Sequence, residues 1–214
     1  MRVLVVGANG RLGRCVVTRA LVEGHEVTAF VRNRGGLPEH PALTVEIGAV
    51  ADQADRVRDV VAGHDAVLSA LGNPLWLTGR RGPAILAAAM TNLVTAMHAA
   101  GVPRIMVPLA WGTGQSRTAA SPLVRTVAAT LIRRAYRDFD AAEQILTASG
   151  LSWTIVYFGA LTDREDTTRW RASTQVRTPR PLAIARDDLA RFLVGAAERD
   201  TFVCRRVVLN GDRP

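Results

Sequence analysis

The stretch "VVGANGRLG", residues 5–13, decides the fold, because its three glycines follow an apolar run and precede a helical pattern. Gly7 allows a tight turn, Gly10 lets backbone amides approach a pyrophosphate, and Gly13 lets the helix pack closely on the strand. The amino end of the helix adds a partial positive charge. This context predicts a dinucleotide-binding loop. The alternative is a turn that needs small residues for packing alone.

Apolar, strand-like runs alternate with helical patterns along the chain. The predicted strands are 2–8, 26–32, 43–48, 65–72, 104–110, 151–159 and 205–211, and the predicted helices are 11–23, 53–61, 84–100, 121–149 and 187–198. Such alternation is typical of βαβ units with a mostly parallel sheet. We therefore predict the α/β class, with a single doubly wound Rossmann-like domain over 1–214. Polar residues 163–181 are predicted to form a loop excursion over the binding face, within a small C-terminal region that covers the substrate.

The length and composition fit one soluble domain. A chain of 214 residues, 48% of them hydrophobic, is long enough for one well-buried core. No stretch reaches the roughly 20 uninterrupted apolar residues of a membrane span, and the N-terminus carries no leader pattern. We therefore expect a cytoplasmic protein without membrane association. The cysteines, Cys15 and Cys204, and the four histidines lack metal-ligand spacing, so no metal site is predicted.

The formal net charge of +8 raises the question of nucleic-acid binding. The basic residues are scattered, however, and no run of them exceeds two residues. The sequence also lacks an RNA-binding aromatic signature, so we expect no nucleic-acid partner. All 27 basic residues are arginine, which excludes any step that uses a lysine ammonium.

Two arginines indicate which dinucleotide binds. Arg32 and Arg34 follow the second predicted strand, where an arginine can pair with the 2'-phosphate of NADP. The predicted cofactor is therefore NADP(H), and the alternative is that both are solvated loop residues. The residues predicted to contact the cofactor are Gly7, Asn9, Gly10, Arg11, Leu12, Gly13, Arg32, Arg34, Ala49, Val50, Ala70, Leu71, Gly72, Leu109, Tyr157 and Phe158.

With these residues, the chain resembles the NmrA-like and flavin/biliverdin-reductase-like branch of the atypical short-chain dehydrogenase/reductase superfamily. The resemblance covers essentially the whole chain. Besides the glycine loop and Arg32, it rests on "GAV" (48–50), "SALG" (69–72), "GVPRIM" (101–106), "WGTG" (111–114), "SGLSWTIV" (149–156) and "IARDDLARFLV" (184–194). It implies a Rossmann-like domain with NADP bound across the sheet, and often the reduction of a flat conjugated compound.

The chain departs from its relatives where their chemistry lies. Relatives commonly close the fifth strand with serines, but "VPLAWGTG" (107–114) has leucine and alanine there. Many superfamily members place a lysine four residues after a catalytic tyrosine, whereas Tyr136 is followed at that distance by Asp140. The arginine-proline pair after the sixth strand is replaced by Tyr157 and Phe158. The serine-tyrosine-lysine triad is therefore predicted to be absent.

Without that triad, the site is predicted to hold a flat substrate against the cofactor and to exclude water. The rings predicted to border the substrate are Trp76, Trp111, Tyr157 and Phe158, and the candidate proton donors are Tyr157, Thr113 and Ser116. The alternative for each ring is that it packs beneath 163–181. Tyr136 lies in the apolar stripe of helix 121–149, so we interpret it as a packing residue rather than a proton donor.

The leading hypothesis is an NADP-dependent oxidoreductase that reduces a flat hydrophobic small molecule of aromatic, quinone-like or flavin-like type. The second hypothesis is a non-catalytic NADP-binding redox sensor of NmrA type. The third is an isomerase or cyclase on the same fold. The oligomeric state is left open between monomer and homodimer.

Overall fold

The computed structural model describes residues 1–72, 85–122, 126, 133–163, 170–178 and 183–211. Its strands are β1 (Arg2–Val6), β2 (Glu26–Val31), β3 (Leu43–Ile47), β4 (Ala66–Ser69), β5 (Arg104–Ala110), β6 (Ser152–Phe158), β7 (Ala160–Thr162), β8 (Trp170–Ser173), β9 (Ala183–Ala185) and β10 (Arg205–Gly211). Its helices are α1 (Arg11–Val22), α2 (Ala54–Val61), α3 (Leu86–Ala100), α4 (Arg133–Thr147) and α5 (Arg186–Glu198). A 3₁₀ helix covers Gly114–Ala119.

The main sheet has the strand order β3-β2-β1-β4-β5-β6-β10-β8. Every pairing in it is parallel except that of β8 with β10. The strand order reverses direction at β1: β2 and β3 lie on one side of it, and β4 and the later strands lie on the other. A crevice therefore opens at the carboxyl ends of these strands, as in other doubly wound sheets. The predicted fold is confirmed.

Helices cover both faces of the sheet. One apolar core lies under α2, α3 and α4, and the other lies under α1 and α5. Both faces of the central strands are thus buried, which explains why those strands have continuous apolar sequences. No helix within the described ranges is long and apolar enough to cross a membrane.

Part of the stretch 163–181 differs from its prediction as a loop, while 164–169 and 179–181 lie outside the described residues. Trp170–Ser173 forms β8 and pairs antiparallel with β10 at the edge of the main sheet. The strand is short and mostly exposed, so its sequence lacks the apolar alternation that marks a strand. Of the predicted helix 121–149, Arg133–Thr147 forms α4, and 123–125 and 127–132 lie outside the described residues.

A buried arginine fastens the amino end of β5 to neighbouring elements. Arg104 is 3% exposed, and its guanidinium donates to the carbonyl of Ser152 at 2.7 Å and to Thr154 Oγ1 at 2.8 Å. It also donates to the carbonyl of Ala196, in the last turn of α5, at 3.1 Å and to that of Thr201, just after α5, at 2.9 Å. One side chain thus joins β5, β6 and the end of α5.

Replacing Arg104 by methionine is expected to lower the free energy of unfolding by about 3 kcal/mol, because four buried oxygen acceptors lose their donor. Urea denaturation followed by circular dichroism measures this loss. Arg58→Met is the matched control, since the Arg58 side chain is 58% exposed and pairs only with Asp55 among the contacts described. Equal stability of the two variants would contradict the structural role of Arg104.

Candidate functional site

A cavity of about 320 Å³ lies at the carboxyl ends of β1, β2 and β4. Nine of the residues predicted to contact the cofactor line it: Gly7, Asn9, Gly10, Arg32, Ala49, Val50, Ala70, Leu71 and Gly72. Val6, Phe30, Val31, Asn33, Gly48, Ala51, Asp52 and Ile85 complete the lining. The structure therefore brings together the glycine loop, the arginine after β2 and the backbone segments after β3 and β4.

Two glycines allow the backbone to form this cavity. Gly7 has φ +79°, and a Cβ there would lie 3.1 Å from the backbone of Ala70 and Leu71. A Cβ on Gly13 would lie 2.3 Å from the carbonyl oxygen of Gly7 and 2.7 Å from Ala8 Cα, closer than atoms can approach. The first turn of α1 therefore packs directly on the loop, as the spacing predicts.

The amino end of α1 is open toward the cavity. Gly10 is the N-cap of the helix and supplies no side-chain hydrogen bond, and the first turn contains no acidic residue. Asn9 Nδ2 donates to the carbonyl of Asn33 at 2.5 Å, which ties the glycine loop to the loop after β2. Asn9 Oδ1 is buried and lacks a hydrogen-bond partner in the described structure. These groups fit a phosphate-bearing ligand. Its phosphate oxygens would accept from the free amides of the helix terminus, and a hydroxyl elsewhere on the ligand would donate to Asn9 Oδ1.

Three arginines surround the loop after β2. Arg32 and Arg34 are exposed, and neither forms an ion pair with any residue in the described ranges. Arg14 was not among the predicted residues, yet its Nε donates to the carbonyl of Asn9 at 3.2 Å. Its guanidinium lies against Gly36, because a Cβ there would be 2.3 Å from Arg14 Nη2. A cation in the second helical turn can reach this loop, a geometry that motif spacing does not reveal.

A side chain from α3 holds the segment after β3. Asn92 Nδ2 donates to the carbonyls of Val50 at 2.9 Å and Ala51 at 3.1 Å. Gln53 Oε1 accepts from the backbone amide of Ala49 at 2.8 Å. The wall of the cavity that Ala49 and Val50 form is therefore fixed by two amide side chains, neither of which was predicted.

Several predicted cofactor residues do not line the cavity. Leu12 and Leu109 are buried in the two cores, and Gly13 contacts the loop backbone. Arg11 pairs with Asp163, which also pairs with Arg186. Arg34, Tyr157 and Phe158 also lie outside the lining.

A stripe of polar side chains on α4 holds the loop after β5. Tyr136 is 7% exposed, and its hydroxyl donates to the carbonyl of Trp111 at 3.1 Å. Asp140 Oδ1 accepts from the amide of Gly114 at 2.6 Å, and Glu143 Oε1 accepts from the amide of Gln115 at 3.4 Å. These three residues are spaced at four and three positions, so they lie on one face of the helix. Tyr136 thus positions this loop.

The hydroxyls of Thr113 and Ser116 are occupied within the same loop. Thr113 Oγ1 donates to the carbonyl of Ala110 at 2.6 Å. Ser116 Oγ donates to the carbonyl of Thr113 at 2.7 Å and accepts from the amide of Gly112 at 2.9 Å. Both residues are fully buried. Both hydroxyls therefore help to shape the loop, and their role as proton donors stays a prediction.

Tyr157 also lies in the core rather than at the surface of the binding face, and its role as a proton donor stays a prediction. It is 0% exposed, and its hydroxyl donates to Glu143 Oε2 at 2.7 Å. Arg206 Nε pairs with the other oxygen of Glu143 at 2.8 Å. Burial, followed by the charge and hydrogen bond of Glu143, raises the pKa of the Tyr157 phenol far above its ordinary value. Burial likewise raises the pKa of Tyr136.

Of the aromatic residues predicted to border the substrate, Trp111 and Tyr157 lie together in one core and Phe158 lies against the other. Trp111 is buried, and its ring packs edge to face on Tyr157 with centroids 6.2 Å apart. Trp111 Nε1 is shielded from solvent and has no hydrogen-bond partner within the described structure. Phe158 is half-buried against the core under α1 and α5. Trp76 lies outside the described residues.

A family profile of NAD(P)H-binding proteins matches residues 7–200, from the first glycine of the loop to the end of α5. The chain belongs to this NAD(P)H-binding family. The match agrees with the glycine cradle and its open helix terminus, and the predicted resemblance to NAD(P)-binding Rossmann-type reductases is confirmed.

Solved structures share the fold of this family member over nearly their full lengths. The anaerobillin reductase ChuY from Escherichia coli O157:H7 has a TM-score of 0.79 and 20% identity, with 100% of both chains covered. A short-chain dehydrogenase/reductase from Veillonella parvula in complex with NADP has a TM-score of 0.79 and 15% identity, with 99% of this chain and 94% of that chain covered.

Sequence relatives match shorter segments. A 3-beta-hydroxysteroid dehydrogenase from Mycolicibacterium neoaurum is 44% identical over 66 residues, which is 31% of this chain and 18% of that protein. The chain spans at most about a third of the length of the curated relatives that it matches.

The Tyr157 phenol is expected to make the protein sensitive to alkali. Because its pKa is higher in the folded than in the unfolded chain, the stability it contributes is complete below about pH 10 and is lost above it. Between about pH 10 and 12, the unfolding free energy of the wild type should fall by roughly 1.4 kcal/mol per pH unit more than that of Tyr157→Phe. Chemical denaturation across this range measures both slopes. Tyr136 is present in both proteins and cancels, so identical slopes would refute the prediction.

Proposed function

We propose that this protein is an NADP(H)-dependent oxidoreductase that reduces a flat hydrophobic small molecule. The observation that carries the proposal is the cavity at the carboxyl ends of β1, β2 and β4, with an open helix terminus on one side. On another side lies Arg32, which forms no ion pair within the described ranges. The NAD(P)H-binding family supports the dinucleotide, and the arginines support the phosphorylated form.

Different residues of the cavity would bind different parts of the cofactor. The amides near Gly10 and the amino end of α1 would bind the pyrophosphate. Arg32, with Arg34 and Arg14 beside it, would pair with the 2'-phosphate. Ala49 and Val50 would border the adenine, held in place by Asn92. A neighbour of the same fold binds NADP, which agrees with this assignment.

The chain's own groups position and desolvate the reactants. When bound, the cofactor's nicotinamide supplies the hydride. The backbone of Ala70, Leu71 and Gly72 would lie along the cofactor, and the α4 stripe would keep the loop after β5 in place. Since Tyr157, Thr113 and Ser116 use their protons in internal hydrogen bonds, we infer that the substrate receives its proton from solvent.

Two observations favour a flat hydrophobic substrate. At the end of β5, Leu109 and Ala110 stand where similar proteins commonly have serines, which removes polar groups from the expected reaction site. Proteins similar to this chain are named for anaerobillin reduction and for 3-beta-hydroxysteroid dehydrogenation. We therefore propose an extended conjugated or polycyclic substrate, quinone-like or flavin-like compounds included.

One specific observation favours the second candidate, a redox sensor that binds NADP without turnover. Tyr136 and Asp140 occupy the positions of the tyrosine-lysine pair, and both hold the loop after β5. A protein that uses these positions for structure alone has kept the cofactor cradle without the usual acid-base chemistry. In this case the protein would bind a partner protein with one affinity when NADPH is bound and with another when NADP is bound.

Titration with NADPH and NADH tests the cofactor assignment. We expect the wild type to bind NADPH at least tenfold more tightly than NADH, since a charge-assisted contact to the 2'-phosphate contributes roughly 1.5–3 kcal/mol. Arg32→Ala should lose roughly tenfold in NADPH affinity without change toward NADH. Arg58→Ala, an exposed arginine on α2, is the matched control. Equal affinities of the wild type for both dinucleotides would overturn the NADP assignment.

Turnover is tested separately by following NADPH absorbance with quinones, flavins, linear tetrapyrroles and steroid ketones. We expect oxidation of NADPH that depends on one of these classes. Ser116→Ala should retain turnover if solvent supplies the proton. Tight NADPH binding without oxidation by any class would instead support the sensor.

A further inference from the structure

Three potential metal ligands lie close together at the end of the sheet where the parallel strands begin, opposite the cofactor cavity. Glu23 is the C-cap of α1, and His25 follows it in the turn that leads into β2. Glu198 is the last residue of α5. The helices α1 and α5 cover the same face of the sheet, so their carboxyl ends bring these residues together.

Their ligand atoms are close enough to share one ion after a small adjustment. One ring nitrogen of His25 and one carboxylate oxygen of each glutamate lie within 4.8 Å of one another. Zinc binds such atoms at about 2.0–2.2 Å, which sets neighbouring ligands about 3.4 Å apart on a tetrahedral ion. The Glu23 and Glu198 side chains are 28% and 44% exposed, so their rotamers can close the remaining distance.

The histidine supplies an independent reason to expect a ligand. His25 is 4% exposed, and its Nε2 is buried without a hydrogen-bond partner in the described part of the chain. A buried polar atom without a partner is costly, and here it belongs to a histidine whose ring lies beside two carboxylates. The backbone amide of His25 is meanwhile fixed by the carbonyl of Ala20 at 3.0 Å.

The surrounding electrostatics favour a cation. The carboxyl ends of α1 and α5 both present partial negative charge, in addition to the two glutamates. Glu23 and Glu198 also have ion pairs with Arg19 and Arg199, each at 4.0 Å, a long distance for such a pair.

We propose that Glu23, His25 and Glu198 bind a divalent transition-metal ion of the zinc type. An imidazole with two carboxylates is a donor set that suits zinc, whereas magnesium prefers oxygen ligands alone. Water would complete the coordination. Metal-ligand spacing in the sequence predicted no such site, because Glu198 lies far along the chain from the other two residues. The ion would join the α1–β2 turn to the end of α5 and stabilise this face of the domain.

Calorimetric titration with ZnCl₂ tests the site, on the full chain with Cys204→Ser so that this exposed thiol cannot bind the metal. We expect one zinc ion per chain, a higher melting temperature with zinc, and no comparable effect of MgCl₂. Glu198→Gln and Glu23→Gln should each weaken binding at least tenfold, since even indirect support of a metal is worth 10–100-fold. Glu26→Gln, an exposed carboxylate beside His25, should bind as the parent does.

His25→Gln should abolish zinc binding. Because His25 is buried, this variant could unfold, and Glu198→Gln then serves as the deciding test of the site. Absence of saturable zinc binding would overturn the proposal. Zinc binding of unchanged affinity in Glu198→Gln would also overturn it, because the ion would then lie elsewhere. NADPH affinity should be the same with and without zinc, so this result is independent of the proposed function.

Discussion

The contact between Gly13 and the carbonyl of Gly7 is the constraint on which the cavity depends. With a Cβ at Gly13 placed 2.3 Å from that oxygen, any side chain would push α1 away from β1. Because Gly13 has no side chain, α1 packs directly on the glycine loop, and Gly7 of that loop lies beside the backbone of Ala70 and Leu71. The phosphate-binding geometry thus follows from helix-strand packing at one residue.

The opposite side of the site depends on α4 in a different way. On that side the wall is the loop after β5, and the backbone amides of a loop need hydrogen-bond partners from outside the sheet. Asp140 and Glu143 accept from Gly114 and Gln115, and Tyr136 donates to Trp111. Glu143 is itself held by Tyr157 and Arg206, so the loop is linked through α4 to β6 and β10. Groups that could have served acid-base chemistry stabilise the architecture instead.

The fold was predictable because apolar strand runs and the glycine loop are local signals. The bounds of β5 and β10 agree with their apolar runs to the residue, and nine predicted residues do line the cavity. The buried acids of α4 were not predictable, because their burial depends on distant backbone amides. Asp138, for example, is 3% exposed and accepts from the amides of Leu86 and Ala87, where it caps α3 from another helix. Arg14 was missed for a different reason: its partner Asn9 is near in sequence, but the contact depends on how the glycine loop folds back on the helix.

Asp140 also separates this chain from relatives that use a tyrosine-lysine pair. A lysine there would remove the acceptor for the Gly114 amide and place a second cation beside Arg117, which pairs with Asp140. The loop would keep its contacts with Tyr136 and Glu143 but lose the one with Asp140. At position 140, supporting this loop and tuning a tyrosine with a lysine therefore exclude each other.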